Sequence, residues 1–193
     1  MSQQRTSEHR GTARILTALV GIFVVLVAGL ISANPAAAVA GPDFAAQART
    51  AGLSAGQTEG LQARVDAFKE RTGGVQTAPN KILLGSGAEL TVVVPGETYA
   101  RDLGAPVGTR APCAYLRFCA YSGENFTGSQ INMYTCRSYN IPWTGNGSWD
   151  NNQSSGTRAK MYNGSGSLIY TTPGARSYDR SGNWTPVHSV RNC

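Results

Sequence analysis

The run Trp149-Asp150-Asn151-Asn152-Gln153-Ser154-Ser155 offers a carboxylate, several amides and two hydroxyls on residues that bend easily. A hard cation such as calcium accepts that donor set. The same residue types are also the commonest turn formers, so a polar surface loop is the competing reading. Upstream, Tyr121-Ser-Gly-Glu-Asn-Phe126-Thr-Gly128 sets two aromatics five positions apart, with a glycine two further on. This spacing suits a folded-over hairpin whose rings pack while the glycine takes φ > 0.

Catalytic chemistry has little to build on. Beyond residue 40 the sole imidazole is His188, in a strand-like run near the C-terminus, where a structural role is expected. No Gly-x-Ser-x-Gly, His-Glu-x-x-His or phosphate-cradling glycine loop occurs. Glu124, Asp150 and Asp179 are far apart, and nothing around them argues for a glycosidase pair. The chain reads as a binding protein and not an enzyme, with no catalytic residue expected.

The address is export. Arg5, Arg10 and Arg14 precede an apolar run from Ile15 to Leu30, and Ala38-Val39-Ala40 is a small-x-small cleavage site before Gly41. Residues 1–40 therefore read as a secretory signal peptide; an uncleaved membrane anchor over Ile15 to Ser32 is the alternative. What remains is 153 of the 193 residues, enough for one modest domain or two small ones. Losing Arg5, Arg10, Arg14 and Glu8 takes the net charge from +6 to +4. The basic residues are scattered, which argues against nucleic acid and leaves anionic wall polymers or acidic proteins as partners.

Cys113, Cys119, Cys136 and Cys193 are an even set in an exported chain, so disulfides are the natural reading. Zinc is the rival, but the spacing matches no finger or ribbon. Four cysteines allow three connectivities. The expected one joins Cys113 to Cys119 at the entry to a strand and Cys136 to Cys193 at the C-terminus.

The elements that must position these groups follow the hydrophobic pattern. Positions 41–60 are rich in alanine, glycine and glutamine without a sustained period, and read as a loose leader or frayed helix. Leu61, Val65 and Phe68 predict one amphipathic helix from Gln57, with Thr58 as N-cap and Gly73-Gly74 as the stop. Lys81 to Leu84 and Glu89 to Val94 predict a hairpin around Gly85-Ser86-Gly87. This helix-plus-hairpin α+β segment spans 41–105, and the Pro- and Gly-bearing stretch 106–112 reads as a linker.

After Pro112 the pattern is all β. Ala114 to Tyr121, Ser129 to Tyr134, Thr157 to Tyr162, Ser167 to Tyr170 and Val187 to Arg191 predict short strands, with Asn163-Gly164 as a hairpin turn. Short strands, many turns and two staples predict a β-sandwich over 113–193.

Tyr121-x4-Phe126-x-Gly128, followed by Asp150-Asn151-x-x-Ser154-Ser155, resembles the βγ-crystallin Greek key with its calcium motif. The signal sequence, the paired cysteines and the ending Trp184-Thr-Pro-Val-x-Ser-Val-Arg-x-Cys193 are similar to secreted actinobacterial βγ-crystallin-like peptidase inhibitors of the metalloproteinase-inhibitor type. The resemblance covers Cys113 to Cys193. It implies a Greek-key sandwich, with a ligating hydroxyl on Ser154, a ligating carbonyl on Asn152, Asp150 and Asn151 shaping the loop, and Ser155 as the packing serine. The metal set is thus Asp150, Asn152 and Ser154. A second motif has decayed, Trp184 to Ser189 keeping only the final serine, so calcium binding is expected to be weak, about 0.1 to 1 mM.

The resemblance also implies a monomeric inhibitor of an extracellular protease that acts by loop occlusion. Two stretches are expected to be exposed: Tyr139 to Gly147, with Ile141-Pro142-Trp143 as an apolar inhibitory tip, and Thr171 to Arg180. Core packing is the competing role for Trp143 and Trp149. The alternative function is a non-inhibitory calcium- or wall-binding structural module.

Overall fold

Ser54 starts the longer helix. Its hydroxyl accepts from Gln57 N at 3.2 Å while Gln57 Oε1 accepts from Ser54 N at 3.1 Å, a reciprocal capping box. In this computed structural model, which describes residues 42–85, 87–104 and 110–193, helix α2 runs Ala55–Thr72 and stops at Gly73 with φ 66°. The stop is where the glycines predict it. The start is not at Thr58, whose hydroxyl instead donates back to Ser54 O from inside the helix.

The supposed leader also holds a helix. Asp43 caps α1, Phe44–Thr50, by accepting from Ala46 N at 2.8 Å. Ala48 and Leu53 then join Leu61 and Val65 in the buried core. Alanine-rich sequence is a good helix former, but a helix this short is unstable until α2 covers it, so no periodicity announces it. The expected signal peptide, residues 1–40, and positions 106–109 of the expected linker lie outside the described residues. Among the described residues no helix is long and apolar enough to cross a membrane.

The strands are β1 Val75–Ala78, β2 Lys81–Leu83, β3 Glu89–Thr91, β4 Arg117–Tyr121, β5 Gln130–Met133, β6 Ser138–Asn140, β7 Asn146–Asn152, β8 Lys160–Tyr162, β9 Leu168–Thr171, β10 Ser177–Asn183 and β11 Ser189–Arg191. Among the described residues they form two antiparallel sheets, ordered β1-β2-β3-β5-β4-β7-β10 and β6-β11-β8-β9. The small two-helix segment precedes a mostly β molecule, an arrangement compatible with an all-β sandwich.

Segments 41–105 and 113–193 share the larger sheet, because β3 pairs with β5 through Leu90 opposite Ile131. Both side chains are wholly buried, so the hairpin gains an apolar face only by extending this sheet. Along β4, Phe118 and Ala120 face the core with Ile131, Met133 and Trp149. The opposite face carries Arg117, Cys119 and Tyr121.

The disulfides join Cys113 to Cys119 and Cys136 to Cys193, the pairing expected from the sequence. The first clips the lead-in to β4. The second returns the C-terminus to the start of β6.

Candidate functional site

The aromatic corner forms as its spacing predicts. Tyr121 and Phe126 pack edge to face with centroids 5.4 Å apart, and Gly128 takes φ 78°. A Cβ at Gly128 would run into Ser122 Oγ, so the glycine permits the close approach as well as the conformation. Ser148 on β7 locks the corner by accepting from Phe126 N at 2.8 Å and donating to Gly123 O at 2.7 Å. Burial, reinforced by the negative charge of Asp150, pushes the Tyr121 phenol well above its usual range.

The corner thereby positions β7, the strand that the sequence hides. Gly147, Trp149 and Asn151 alternate onto the buried face, and only Trp149 is a large apolar residue. Glycine and asparagine are poor strand formers, so the packing of β7 between β4 and β10 overrides propensity. Gly147 is required there, because a Cβ would overlap the Trp184 indole. The alternation around Trp149 is the signal that sequence reasoning missed.

Asn151 links the Asp150 to Ser155 stretch to a second loop. It is wholly buried, and its amide donates to Thr157 O at 2.9 Å, Pro173 O at 3.3 Å and Thr172 Oγ1 at 3.4 Å. Loop 172–176 between β9 and β10 is held by further bonds, from Thr172 N to Ala159 O at 2.8 Å and from Ala175 N to Thr157 O at 2.9 Å. Ser177 Oγ donates to Pro173 O, and Gly174 lies against Gly156. The loop is braced, with Thr172 wholly buried and Pro173 and Arg176 exposed.

Exposed aromatic and cationic side chains lie at the end of this loop and along β10. Tyr115 and Tyr178 are each 60% exposed, and Arg176 stacks over the Tyr115 ring at 5.5 Å. Arg180 lies 4.9 Å from the Phe126 ring and 5.2 Å from that of Tyr178. These pairs set arginines against aromatic rings at an exposed surface, and tyrosine with arginine is the composition of protein-binding hot spots. Of the expected exposed stretch Thr171 to Arg180, residues 172–176 form the loop and Ser177 onward begins β10.

The second expected stretch is corrected by burial. Ile141 and Trp143 are each only 8% exposed, and Trp143 packs edge-on against Phe68 of α2 at 6.1 Å. Arg71 of α2 donates to Pro142 O at 2.8 Å. Ile141-Pro142-Trp143 is a core contact and not a projecting tip, because the apolar face of α2 needs a partner and these side chains supply it. His188 lines an open groove of about 570 Å3 beside Arg71, Pro142 and Thr185, and no carboxylate lines that groove with it.

Two of the three residues expected to hold a metal, Asn152 and Ser154, have protein partners. Asn152 O accepts from Leu116 N at 2.8 Å, and its amide donates to Cys113 O at 2.9 Å. Ser154 Oγ lies 3.1 Å from Thr157 Oγ1. Asp150 faces the outer side of the sheet opposite Cys119 and Tyr178, where partial burial raises its carboxyl above the usual range. Among the described residues no group of three His, Cys, Asp or Glu side chains is placed to hold a metal ion. Compared with family models, curated proteins and solved structures, the chain matches none.

Proposed function

We propose that the protein is an exported binding protein that inhibits an extracellular peptidase by inserting loop 172–176 into or across the enzyme's cleft. The observation that carries this reading is the bracing of that loop by buried Asn151, together with the exposed Tyr115, Arg176, Tyr178 and Arg180. A loop already held in one conformation loses little entropy on binding, so a small contact area can bind tightly. Two disulfides accord with the oxidising exterior expected from the N-terminal signal. The resemblance to βγ-crystallin-like inhibitors, with its Greek-key expectation, supports the same class, as do the Tyr121, Phe126 and Gly128 corner and the paired cysteines.

A second reading, a wall-associated module, draws on arginine–tyrosine pairs elsewhere on the surface. Arg110 lies 4.1 Å from the Tyr99 ring and Arg117 4.5 Å from that of Tyr134, a scatter that suits a repeating anionic polymer. The test is inhibition of thermolysin-like and subtilisin-like peptidases by the purified protein. Inhibition that Tyr178→Ala and Arg176→Ala each weaken about tenfold supports the inhibitor reading. No slowing of either peptidase at about 10 μM protein, together with retention on insoluble cell wall, refutes it and favours the module.

A further inference from the structure

Strands β9 and β10 are the outer strands of different sheets, and a cleft of about 300 Å3 opens beside them. Trp149, Met161, Ile169, Tyr170 and Val187 give it mostly apolar walls. Asp179 is the one carboxylate among its lining residues. It stands opposite Trp149 on the face of β10 that points between the sheets, just before a bulge that ends at Gly182.

Asp179 Oδ1 accepts from Ser181 N at 2.9 Å, and the carboxylate has no ion-pair partner among the described residues. A half-buried carboxylate set among apolar walls, with no cationic partner among the described residues, is complemented by a cationic side chain from outside. The saccharide alternative fits poorly. Sugars require several hydrogen-bonding groups, whereas the Trp184 indole N–H already donates to Tyr121 O and Asn183 Oδ1 already accepts from Thr185 N.

The wall of the cleft is also a free strand edge. Among the described residues β9 pairs with β8 on one side only, and Leu168, Ile169 and Tyr170 are 53%, 41% and 44% exposed. It carries no charge, proline or glycine to discourage pairing. A free edge beside a side-chain pocket is the arrangement by which extended peptides are bound through strand addition: main-chain bonds give affinity and the pocket gives specificity.

We propose that β9 and this cleft bind an extended peptide bearing a lysine or arginine, with its alkyl stem on Ile169 and Tyr170 and its cationic head at Asp179. No residue of loop 172–176 lines the cleft, so the proposal does not rest on the inhibitor reading. Any extended segment of a partner with a basic side chain at the matching position satisfies it.

The test uses the full-length protein and two blocked five-residue valine-rich peptides, one with a central lysine and one with a central norleucine. Tryptophan fluorescence reports the cleft through Trp149, and backbone amide shifts of 168–171 report the edge. The lysine peptide is expected to bind with Kd of about 0.1 to 1 mM and the norleucine peptide about tenfold more weakly. Asp179→Asn should abolish that difference while retaining the bond to Ser181 N. Gly182→Leu should block both peptides.

If Asp179→Asn fails to fold, Gly182→Ala serves in its place. The added Cβ would sit at ordinary contact distances, 3.4 Å from Asp179 Oδ2 and 3.6 Å from Trp149 Cδ1, so the fold tolerates it and the cleft narrows. A selective loss of lysine-peptide binding then supports the proposal. Equal affinity for the two peptides, no binding of either up to about 10 mM, or displacement of the lysine peptide by an oligosaccharide overturns it.

Discussion

Replacing Asn151 by alanine isolates the one side chain that joins the Asp150 to Ser155 stretch to loop 172–176. The variant loses a good hydrogen bond to Thr157 O at 2.9 Å and two longer ones to Pro173 O and Thr172 Oγ1. None of the three acceptors is orphaned. Thr157 O keeps Ala175 N, Pro173 O keeps Ser177 Oγ, and Thr172 Oγ1 keeps Ala159 N. The penalty is therefore lost bonding plus a small cavity, about 2 kcal/mol, without the larger cost of a stranded carbonyl. For a unit of this size that lowers the thermal midpoint by about 4 to 8 °C.

Asn151→Asp is the sharper arm. It sets a buried carboxylate against three oxygen acceptors, so it should be less stable than the alanine variant at neutral pH and regain stability as acid protonates it. Thermal unfolding at about pH 7 and pH 4 reads both effects. A shift below about 1 °C for Asn151→Ala, or an aspartate variant as stable as the alanine one at neutral pH, would refute the bracing argument.

Removing Cys136–Cys193, which closes a 57-residue separation, should cost about 4 kcal/mol, against about 2 for Cys113–Cys119 with its separation of 6. Urea unfolding of the two double-serine variants measures the order, and a reversal refutes the loop-entropy account. Gly147→Ala drives a methyl into the Trp184 indole and strains its 2.8 Å bond to Tyr121 O, with an expected loss of about 3 kcal/mol and a blue- or red-shifted tryptophan spectrum. Asp150→Asn should stabilise the protein at neutral pH, because burial raises the folded-state carboxyl above its ordinary value of 3.8 and the charged form carries that penalty. The advantage should fade as pH falls through the raised value and vanish below 3.8; a gain that persists in acid contradicts it. A calcium site of about 0.1 to 1 mM would add about 1 to 2 kcal/mol at about 5 mM ion. With Asn152 O already bonded to Leu116 N, the expected shift in midpoint against chelator is below about 1 °C, and a larger rise restores the cation reading.

Much of the frame was legible residue by residue. Leu61, Val65 and Phe68 marked a helix, Gly73 marked its end, and the strands around Lys81, Glu89, Arg117 and Lys160 lie where β-rich runs predicted them. β7 and β10 were not legible. Their sequences, Asn146–Asn152 and Ser177–Asn183, are built of turn-forming residues and become strands only between neighbours. The Ile141-Pro142-Trp143 run was misread for the converse reason: an apolar cluster after a cysteine is the same string whether it projects or packs on a helix 71 positions away, as Pro142 does on Arg71.

By itself the sequence determined the local chemistry: the cysteine inventory, the Tyr121, Phe126 and Gly128 corner and the β-rich character beyond Pro112. Such features depend on side-chain type and short spacing, which the chain carries wherever it folds. Tertiary structure decided that the α2 hairpin segment extends the larger sheet, that Asn151 braces loop 172–176, and that Asp179 faces an apolar cleft beside a free strand edge. Each of those depends on which distant strand supplies the next neighbour. For β7, flanked by β4 and β10, that neighbourhood outweighs the turn preference written in its own residues.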